Sequence, residues 1–258
     1  MSNVSLSPNR LEFSAEAIPL FVKGLLTGLS MLIYVPAASQ TTGLLQYVLS
    51  HLRFADGTTA QYTGTPDMLK QPLIGVTAMI WAQILFGNMF SSPVLAILLR
   101  VAFGVGQAIF MFQLLKVIFP NILTSNGSRL QFAATQEDYI KWQMVIVAAG
   151  VVPSLIVMLL PVGVLIGALI SIVMALVTLA LYGVAFTLYY RWLASKVQGG
   201  SRVPTFNAEP LDFVLRMVGL GLFCMLIVTI PWAILWFAKW QTSQFSLPAR
   251  ASAAATSF

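Results

Sequence analysis

The sequence predicts an all-α polytopic membrane protein, and two observations support this prediction. Of its 258 residues, 58% are hydrophobic and only 9% are charged, whereas soluble domains carry about 25% charged residues. A short polar unit also recurs four times, and each copy precedes a long apolar stretch. We therefore expect a membrane helix bundle of four repeated modules, with six spans and up to eight, and with short extended or β segments on the cytoplasmic face.

Each copy of the polar unit contains an aromatic residue, then an acid, then a basic residue at the start of an apolar helix. Three copies open on a glycine turn, at residues 57–62, 127–132 and 200–206, and a more divergent copy lies at 10–13. The turn glycines are expected to need a positive φ. The aromatic residues at matching offsets are Phe13, Tyr62, Phe132 and Phe206. Their offsets predict equivalent places in a small β-containing layer beneath the helices.

The apolar stretches define the predicted spans and modules. The spans are expected at residues 17–35, 72–90, 94–119, 142–160, 162–190 and 211–230, with an interruption at Pro153. The sequence does not decide whether residues 37–52 and 231–240 also cross the membrane. The modules are assigned to residues 10–52, 53–119, 127–192 and 199–241, within one membrane domain, 1–241. A Ser/Ala-rich tail, 242–258, is expected to be disordered.

The charge distribution predicts how the chain is oriented. All eight acids, and most of the Lys and Arg residues, lie in or beside the polar units, whereas the turns at Pro36, 91–93 and Pro161 carry no charge. Because Lys and Arg accumulate on the cytoplasmic side, we expect the four units and the amino terminus there. The basic residues form no single patch, so the expected surroundings are a lipid bilayer rather than nucleic acid.

Several short segments resemble one known family. Tyr190-Arg191-Trp192, the turn Gly199-Gly200, Phe206 and Pro231-Trp232 resemble the YjgN-like family of bacterial inner-membrane proteins, as does Tyr62-Thr63-Gly64. The resemblance implies a multi-pass protein of the bacterial inner membrane. It implies no activity and no functional residue. The aromatic and basic residues at 189–192 are also typical of a membrane interface anchor.

No catalytic or metal-binding constellation can be assembled from the sequence. His51 is the only histidine and has no cysteine or carboxylate at ligand spacing, and the only cysteine, Cys224, lies in an apolar run. The acids are instead expected to pair with basic residues three or four positions later. These pairs are Asp67 with Lys70, Asp138 with Lys141 and Asp212 with Arg216. We predict a protein without catalytic activity, cofactor or metal; a ring of carboxylates that binds a substrate is the alternative role for the acids.

Polar residues inside two predicted spans indicate a binding site. Arg100 and Gln107 lie seven residues apart on one face of a helix, near Gln83 and Asn88 of the preceding span. An arginine at the centre of a membrane helix costs about 2.5–3.5 kcal/mol by insertion scales, so such residues usually serve a function. Alternatively, Arg100 lies only about 10 Å of helix rise from the turn at 91–93 and extends to the headgroups.

Small residues form a second pattern inside the membrane. They recur every four positions along one predicted helix, at Gly163, Gly167, Ser171 and Ala175. Such stripes let helices approach closely, so we expect packing within the chain, with the interface of a homo-oligomer as the alternative. Gly24 and Gly28 repeat the spacing in the first helix.

Two function classes are compatible with these features. The first is a small-solute transporter or channel-like protein, with a polar cavity formed by Arg100, Gln107, Gln83 and Asn88. The second is a non-catalytic accessory or scaffold protein that docks a protein partner through its cytoplasmic units. Duplicated helix pairs occur in both classes, so the repeats do not decide between them.

Overall fold

The computed structural model describes residues 10–33, 36–54, 57–86, 93–159, 164–199 and 203–247, and this part of the chain is an α-helical bundle with short strands. The helices are α1 (Ala17–Ile33), α2 (Ala37–Ser50), α3 (Pro66–Phe86), α4 (Pro93–Ile118), α5 (Gln136–Leu159), α6 (Val164–Lys196), α7 (Pro210–Cys224) and α8 (Ile230–Ser243). The strands are β1 (Leu11–Phe13), β2 (Leu52–Phe54), β3 (Ala60–Tyr62), β4 (Ile122–Thr124), β5 (Leu130–Phe132), β6 (Val197–Gly199), β7 (Thr205–Phe206) and β8 (Phe245–Ser246). The expected helical bundle is therefore confirmed.

The order strand, helix, helix, strand occurs four times along the chain, and we number these units modules 1 to 4. In each module the first strand pairs antiparallel with the last. A peptide N–H just after the first strand also donates to the carbonyl just before the last strand. These bonds join Ser14 to His51 (3.0 Å), Thr63 to Asn121 (2.8 Å), Ala133 to Lys196 (2.8 Å) and Asn207 to Gln244 (3.0 Å). Each helix pair therefore leaves the strands and returns to them.

The strand pairs are linked into one layer. Backbone bridges join Arg53 to Thr59, Leu123 to Arg129 and Arg10 to Ser246. The strand order is consequently β6-β5-β4-β3-β2-β1-β8-β7, so the first module lies beside the last. The helices are arranged in the same order. Each helix contacts its neighbours in the chain, and α8 also contacts α1, so the helices form a closed ring. A layer of eight short strands thus lies at one end of a closed ring of helices.

The turns between modules confirm the expected role of two glycines. Gly57 has a φ of 82° and Gly127 a φ of 77°, values that residues with a β-carbon rarely adopt. In the first turn, Gly57 donates its N–H to the carbonyl of Phe54 (2.8 Å), and in the second Gly127 donates to Thr124 (2.9 Å). Gly200, the third predicted turn glycine, lies outside the described residues.

Each module contains its own buried core, built around one aromatic residue of its first strand. These residues are Phe13, Tyr62, Phe132 and Phe206, exposed by 8%, 5%, 4% and 4%. Seven positions later the first helix supplies a second buried side chain: Leu20, Leu69, Tyr139 or Phe213. A buried small residue follows each aromatic by two positions: Ala15, Gly64, Ala134 or Ala208. The second helix of the preceding module completes the core, as α4 does for Phe132 through Ala108 and Phe112.

Alternation along the first strands gives the layer its polar outer face. The residue before each aromatic points away from the core because side chains alternate along a strand. These outward residues are Glu12, Gln61, Gln131 and Thr205, and all four are exposed.

Two basic residues of second helices form hydrogen bonds to the backbone of the following module, at its first strand or just after it. Lys116 of α4 donates from Nζ to the carbonyl oxygen of Phe132, and Arg191 of α6 donates from Nη2 to that of Ala208, both at 2.8 Å. Tyr189 is buried and packs its ring against Trp192, 5.9 Å away. Tyr189 therefore belongs to a core beside the strand layer, whereas Arg191 is exposed. The interpretation of residues 189–192 as a membrane interface anchor stays a prediction.

The acids at the helix starts make most of the expected contacts. Asp67 pairs with Lys70 at 2.6 Å, and Asp212 pairs with Arg216 at 3.6 Å. Lys141, however, pairs with Glu137 at 2.7 Å instead of Asp138. Glu137 and Lys141 are four residues apart, which places them on the same face of α5.

Several predicted spans differ from the observed helices: α3 and α5 begin six residues earlier than predicted, at Pro66 and Gln136. Pro153 does not interrupt α5, which continues from Gln136 to Leu159; neighbouring helices make such prolines tolerable in membrane bundles. Helix α6 continues beyond the predicted span 162–190 to Lys196. The predicted span 211–230 is two elements, because α7 ends at Cys224 and a 3₁₀ turn (Ile227–Thr229) precedes α8. Pro231 explains this break, since a proline ring clashes with the carbonyl four residues earlier in a continuous helix.

The predicted disordered tail begins too early. Residues 242 and 243 complete α8, and β8 (Phe245–Ser246) pairs with β7. The ring of Phe245 packs against Phe206 with centroids 4.9 Å apart. Residues 248–258 lie outside the described part of the chain.

Four helical segments of the described chain are long and apolar enough to cross a membrane, and they belong to modules 2 and 3. They are Pro66–Phe86, Ile97–Asn121, Gln136–Val157 and Ile166–Lys196. Helix α1 is apolar but has 17 residues, about 25 Å at 1.5 Å per residue. Large apolar side chains are exposed along α6, among them Leu169 (60%) and Leu176 (63%). This surface is compatible with contact with a lipid bilayer; a total of six spans stays a prediction.

Candidate functional site

A cavity of about 580 Å³ lies between α3, α4, α5 and α6. Its walls include Gln83 of α3 and both Arg100 and Gln107 of α4, three of the four polar residues singled out in the sequence. The seven-residue spacing of Arg100 and Gln107 places them on one face of α4, two turns apart. Asn88 lies outside the described residues. The cavity is formed by the same helices that are long enough to cross a membrane.

Helices α5 and α6 add three polar residues that the sequence analysis missed. These are Ser154, Thr178 and Tyr182. The hydroxyl of Ser154 donates to the carbonyl of Gly150 (2.9 Å), and that of Thr178 donates to Met174 (2.7 Å). Because these protons are engaged within their own helices, both oxygens present lone pairs rather than donors. The signal in the sequence was the four-residue spacing of Thr178 and Tyr182, which places both side chains on one face of α6.

Two glycines of the lining have different surroundings. Gly104 and Gly150 both line it. A β-carbon at Gly104 would meet only Val147 Cγ2 at 3.5 Å and Met144 Cε at 3.6 Å, an ordinary contact. At Gly150, by contrast, it would overlap the hydroxyl of Tyr182. The phenol of Tyr182 therefore reaches α5 only because residue 150 has no side chain.

Helices α3 and α4 pack closely elsewhere, because large side chains of one helix lie against glycines of the other. Phe110 of α4 lies against Gly75 of α3, and Met79 of α3 lies against Gly106 of α4. A β-carbon at either glycine would overlap the opposing side chain. These contacts hold α3 and α4 together, whereas Gly104 faces Met144 and Val147 of α5.

Arg100 gives the cavity a positive charge. Among the described residues of the lining it is the only charged one, and no acid of the described chain forms an ion pair with it. Its side chain is exposed, and it lies seven residues after the first residue of α4, Pro93. The described acids lie in or near the strand layer, at the opposite end of α4. A guanidinium in the wall of a cavity attracts anions, because a lining of one sign of charge raises the local concentration of ions of the opposite sign.

The small-residue stripe of α6 does not pack within the chain as expected. Ser171 and Ala175 are exposed, and the Ser171 hydroxyl donates to its own helix at Gly167 (2.8 Å). Gly163 lies outside the described residues. The close contact of α6 with α7 is instead made at Gly183, where a β-carbon would overlap Val214 Cγ2. In α1, Gly24 and Gly28 face open space beside an apolar groove of about 510 Å³.

His51 has a structural position at the end of α2. Its Nδ1 lies 2.8 Å from the carbonyl oxygen of Tyr47, and its own carbonyl accepts the hydrogen bond from Ser14 that closes module 1. Within the described ranges, no group of three or more His, Cys, Asp or Glu side chains is placed to hold a metal ion.

The polar cavity is therefore the candidate functional site of the described chain. Comparison with protein-family models, with curated proteins and with solved structures finds no match.

Proposed function

We propose that the chain is a multi-pass membrane protein that admits a small polar solute to the α3–α6 cavity, as a transporter or channel-like protein. One observation carries this proposal: Arg100, Gln107 and Gln83 surround a single cavity among the four helices long enough to span a bilayer. Its volume, about 580 Å³, lies within the range of roughly 300–1,000 Å³ for small-molecule sites. Charged residues inside membrane helices commonly mark solute pathways.

The proposed orientation places the strand layer in the cytoplasm of a bacterial cell. Arg10, Arg53 and Arg129 lie in this layer or bridge its strands, as expected for the cytoplasmic side. Each helix pair then crosses towards the outside and returns, and the four modules derive from one duplicated unit. Under this orientation the cavity opens towards the outer side, because Arg100 lies near the end of α4 remote from the strands. Membership of the YjgN-like family stays a prediction.

The alternative function is that of an accessory protein that docks a partner through the strand layer. One observation favours it: the eight strands form a hydrogen-bonded layer whose outward residues, such as Gln61 and Gln131, are polar and exposed. A partner would then bind the outer face of the layer, and the cavity would have no role.

Solute permeation into vesicles tests the transport proposal. The purified chain is reconstituted into liposomes, which are shrunk by sudden addition of glycerol, choline chloride or sodium benzoate, and re-swelling is followed by light scattering. We expect re-swelling with at least one solute, at several times the rate of protein-free liposomes. Gly104→Trp should abolish this increase by filling the cavity, whereas Gly24→Trp should not, because Gly24 faces open space away from it. Equal rates for wild type and Gly104→Trp would contradict transport and leave the accessory role.

A further inference from the structure

We infer that the solute of the α3–α6 cavity is an organic monoanion, a carboxylate attached to an apolar body. This inference rests on the proposed function and adds the chemical class of the solute. Three properties of the lining lead to it: its charge, the geometry of its donors and the position of its apolar wall.

The charge of the lining selects a single negative charge. Arg100 supplies one positive charge, and none of the described lining residues is an acid. A cation would meet Arg100 without a compensating carboxylate, and the ammonium group of an amino acid would have none either. A dianion would leave one of its charges unpaired among membrane helices, which is costly. A monoanion is the charge state that the lining neutralises.

The donors of the lining suit a carboxylate. A guanidinium presents a planar fork of N–H groups that matches the two oxygens of a carboxylate, and such charge-assisted pairs are about twice as strong as neutral hydrogen bonds. The amide groups of Gln83 and Gln107 add N–H donors in the same lining. The hydroxyl protons of Ser154 and Thr178 are engaged within their own helices. The phenol of Tyr182, on α6, is a further donor of the lining, but only Arg100 adds a charge. The negative oxygens are therefore expected at Arg100, with the two glutamines of α3 and α4 as additional donors.

The remaining wall suits an apolar body. Phe103 of α4 and Val147 and Val151 of α5 line the cavity with carbon atoms. The ring of Phe103 is also stacked on Phe86 of α3, with centroids 6.4 Å apart, which holds it in place. A solute whose carboxylate meets Arg100 can thus lay an aromatic or aliphatic group against this wall, where burial of apolar surface favours binding.

Matched probes that differ only in charge test this assignment. The purified chain in detergent is heated with benzoate, benzamide or benzylamine, and with octanoate or octanamide, and the unfolding temperature is measured at increasing probe concentration. We expect benzoate or octanoate to raise the unfolding temperature, and the neutral amides and the amine to leave it unchanged. Arg100→Gln should weaken the apparent affinity at least tenfold, and Arg100→Lys should weaken it less, because lysine keeps the charge but loses the fork. Arg129→Gln is the control, since Arg129 is an exposed arginine beside the strand layer.

The outcomes separate the solute class from the transport function. The assignment is overturned if neither carboxylate binds, if an amide or the amine binds equally well, or if Arg100→Gln binds like the wild type. The last result would mean that Arg100 only extends towards the headgroups. If Gly104→Trp blocks the permeation of a neutral solute and no carboxylate binds, the transport proposal is supported and the carboxylate assignment is wrong. If carboxylates bind through Arg100 but the vesicles stay impermeable to every solute, the carboxylate assignment is supported and the transport proposal is wrong.

Discussion

The phenol of Tyr62 lies over Gly64, so that a β-carbon at residue 64 would come within 2.5 Å of Tyr62 Cζ and would overlap the hydroxyl oxygen. In the other three modules the strand aromatic is phenylalanine and the residue two positions later is alanine. The Tyr62 hydroxyl therefore occupies space that a methyl group fills in the other modules. This hydroxyl is buried without a hydrogen-bond partner in the described chain, and its burial raises the pKa of Tyr62.

Gly64→Ala should destabilise the protein by about 1–3 kcal/mol, because the added methyl overpacks the core of module 2. The double variant Tyr62→Phe/Gly64→Ala reproduces the pair found in the other modules and should recover most of the loss. Thermal unfolding in detergent, monitored by circular dichroism, measures the loss of stability for each single variant and for the double variant. The difference between the double variant and the sum of the single variants is the coupling energy. A double variant no more stable than Gly64→Ala would show that the hydroxyl does not compete for this space.

Asp212→Ala should destabilise the contact between α7 and α8. The Asp212 carboxylate accepts a hydrogen bond from Trp240 Nε1 (2.9 Å), and Trp240 is 8% exposed. An indole N–H left without an acceptor costs about 1–3 kcal/mol. Asp212→Asn should be milder, since an amide oxygen still accepts this bond. Tryptophan fluorescence during unfolding measures both effects.

The control for this change is Glu137→Ala. Glu137 also pairs with a basic residue of its own helix, but the side chains of Lys141 and Glu137 are 66% and 77% exposed. Exposed pairs contribute little, so the unfolding temperature should hardly change. Equal losses for Asp212→Ala and Glu137→Ala would contradict a special role of the Trp240 hydrogen bond.

Truncation at two nearby positions should have different effects. A chain that ends after Gln241 loses β8 and with it the ring of Phe245, which contacts Phe206 (4.9 Å) and Tyr190 (6.5 Å). We expect a loss of at least about 1 kcal/mol, since aromatic pairs add about 0.5–1.5 kcal/mol beyond the burial of their area. A chain that ends after Leu247 keeps these contacts and should unfold like the full chain. If both truncated chains matched the full chain in thermal unfolding, β8 would contribute nothing.

Thiol labelling in intact bacteria tests the proposed orientation. In a Cys224→Ser background, we expect Ser128→Cys, in the turn between β4 and β5, to be protected from an impermeant maleimide. Val94→Cys, at the opposite end of the bundle and 62% exposed at the native valine, should be labelled. Both should react after permeabilisation. Labelling of Ser128→Cys alone in intact cells would place the strand layer outside the cell.

The sequence by itself determined the class of the protein and much of its local structure. Apolar runs of about 20 residues predict membrane helices, because a helix satisfies its backbone hydrogen bonds within the segment and needs this length to cross a bilayer. The recurring offsets of Phe13, Tyr62, Phe132 and Phe206 within the polar units also predicted equivalent places, and all four side chains are buried. A charged residue in an apolar run is conspicuous, and Arg100 was found for that reason.

Only the tertiary structure decided how these parts meet. Strands of two or three residues are too short to show a period, so the pairing of β7 with β8 and the closure of Arg10 onto Ser246 were not predictable. The contributions of Ser154 and Thr178 to the cavity depend on how α5 and α6 are rotated against α4, which is set by packing at particular glycines. The periodicity of α5 and α6 could not reveal this rotation, because these helices are apolar on nearly every face and no single side is marked for the interior.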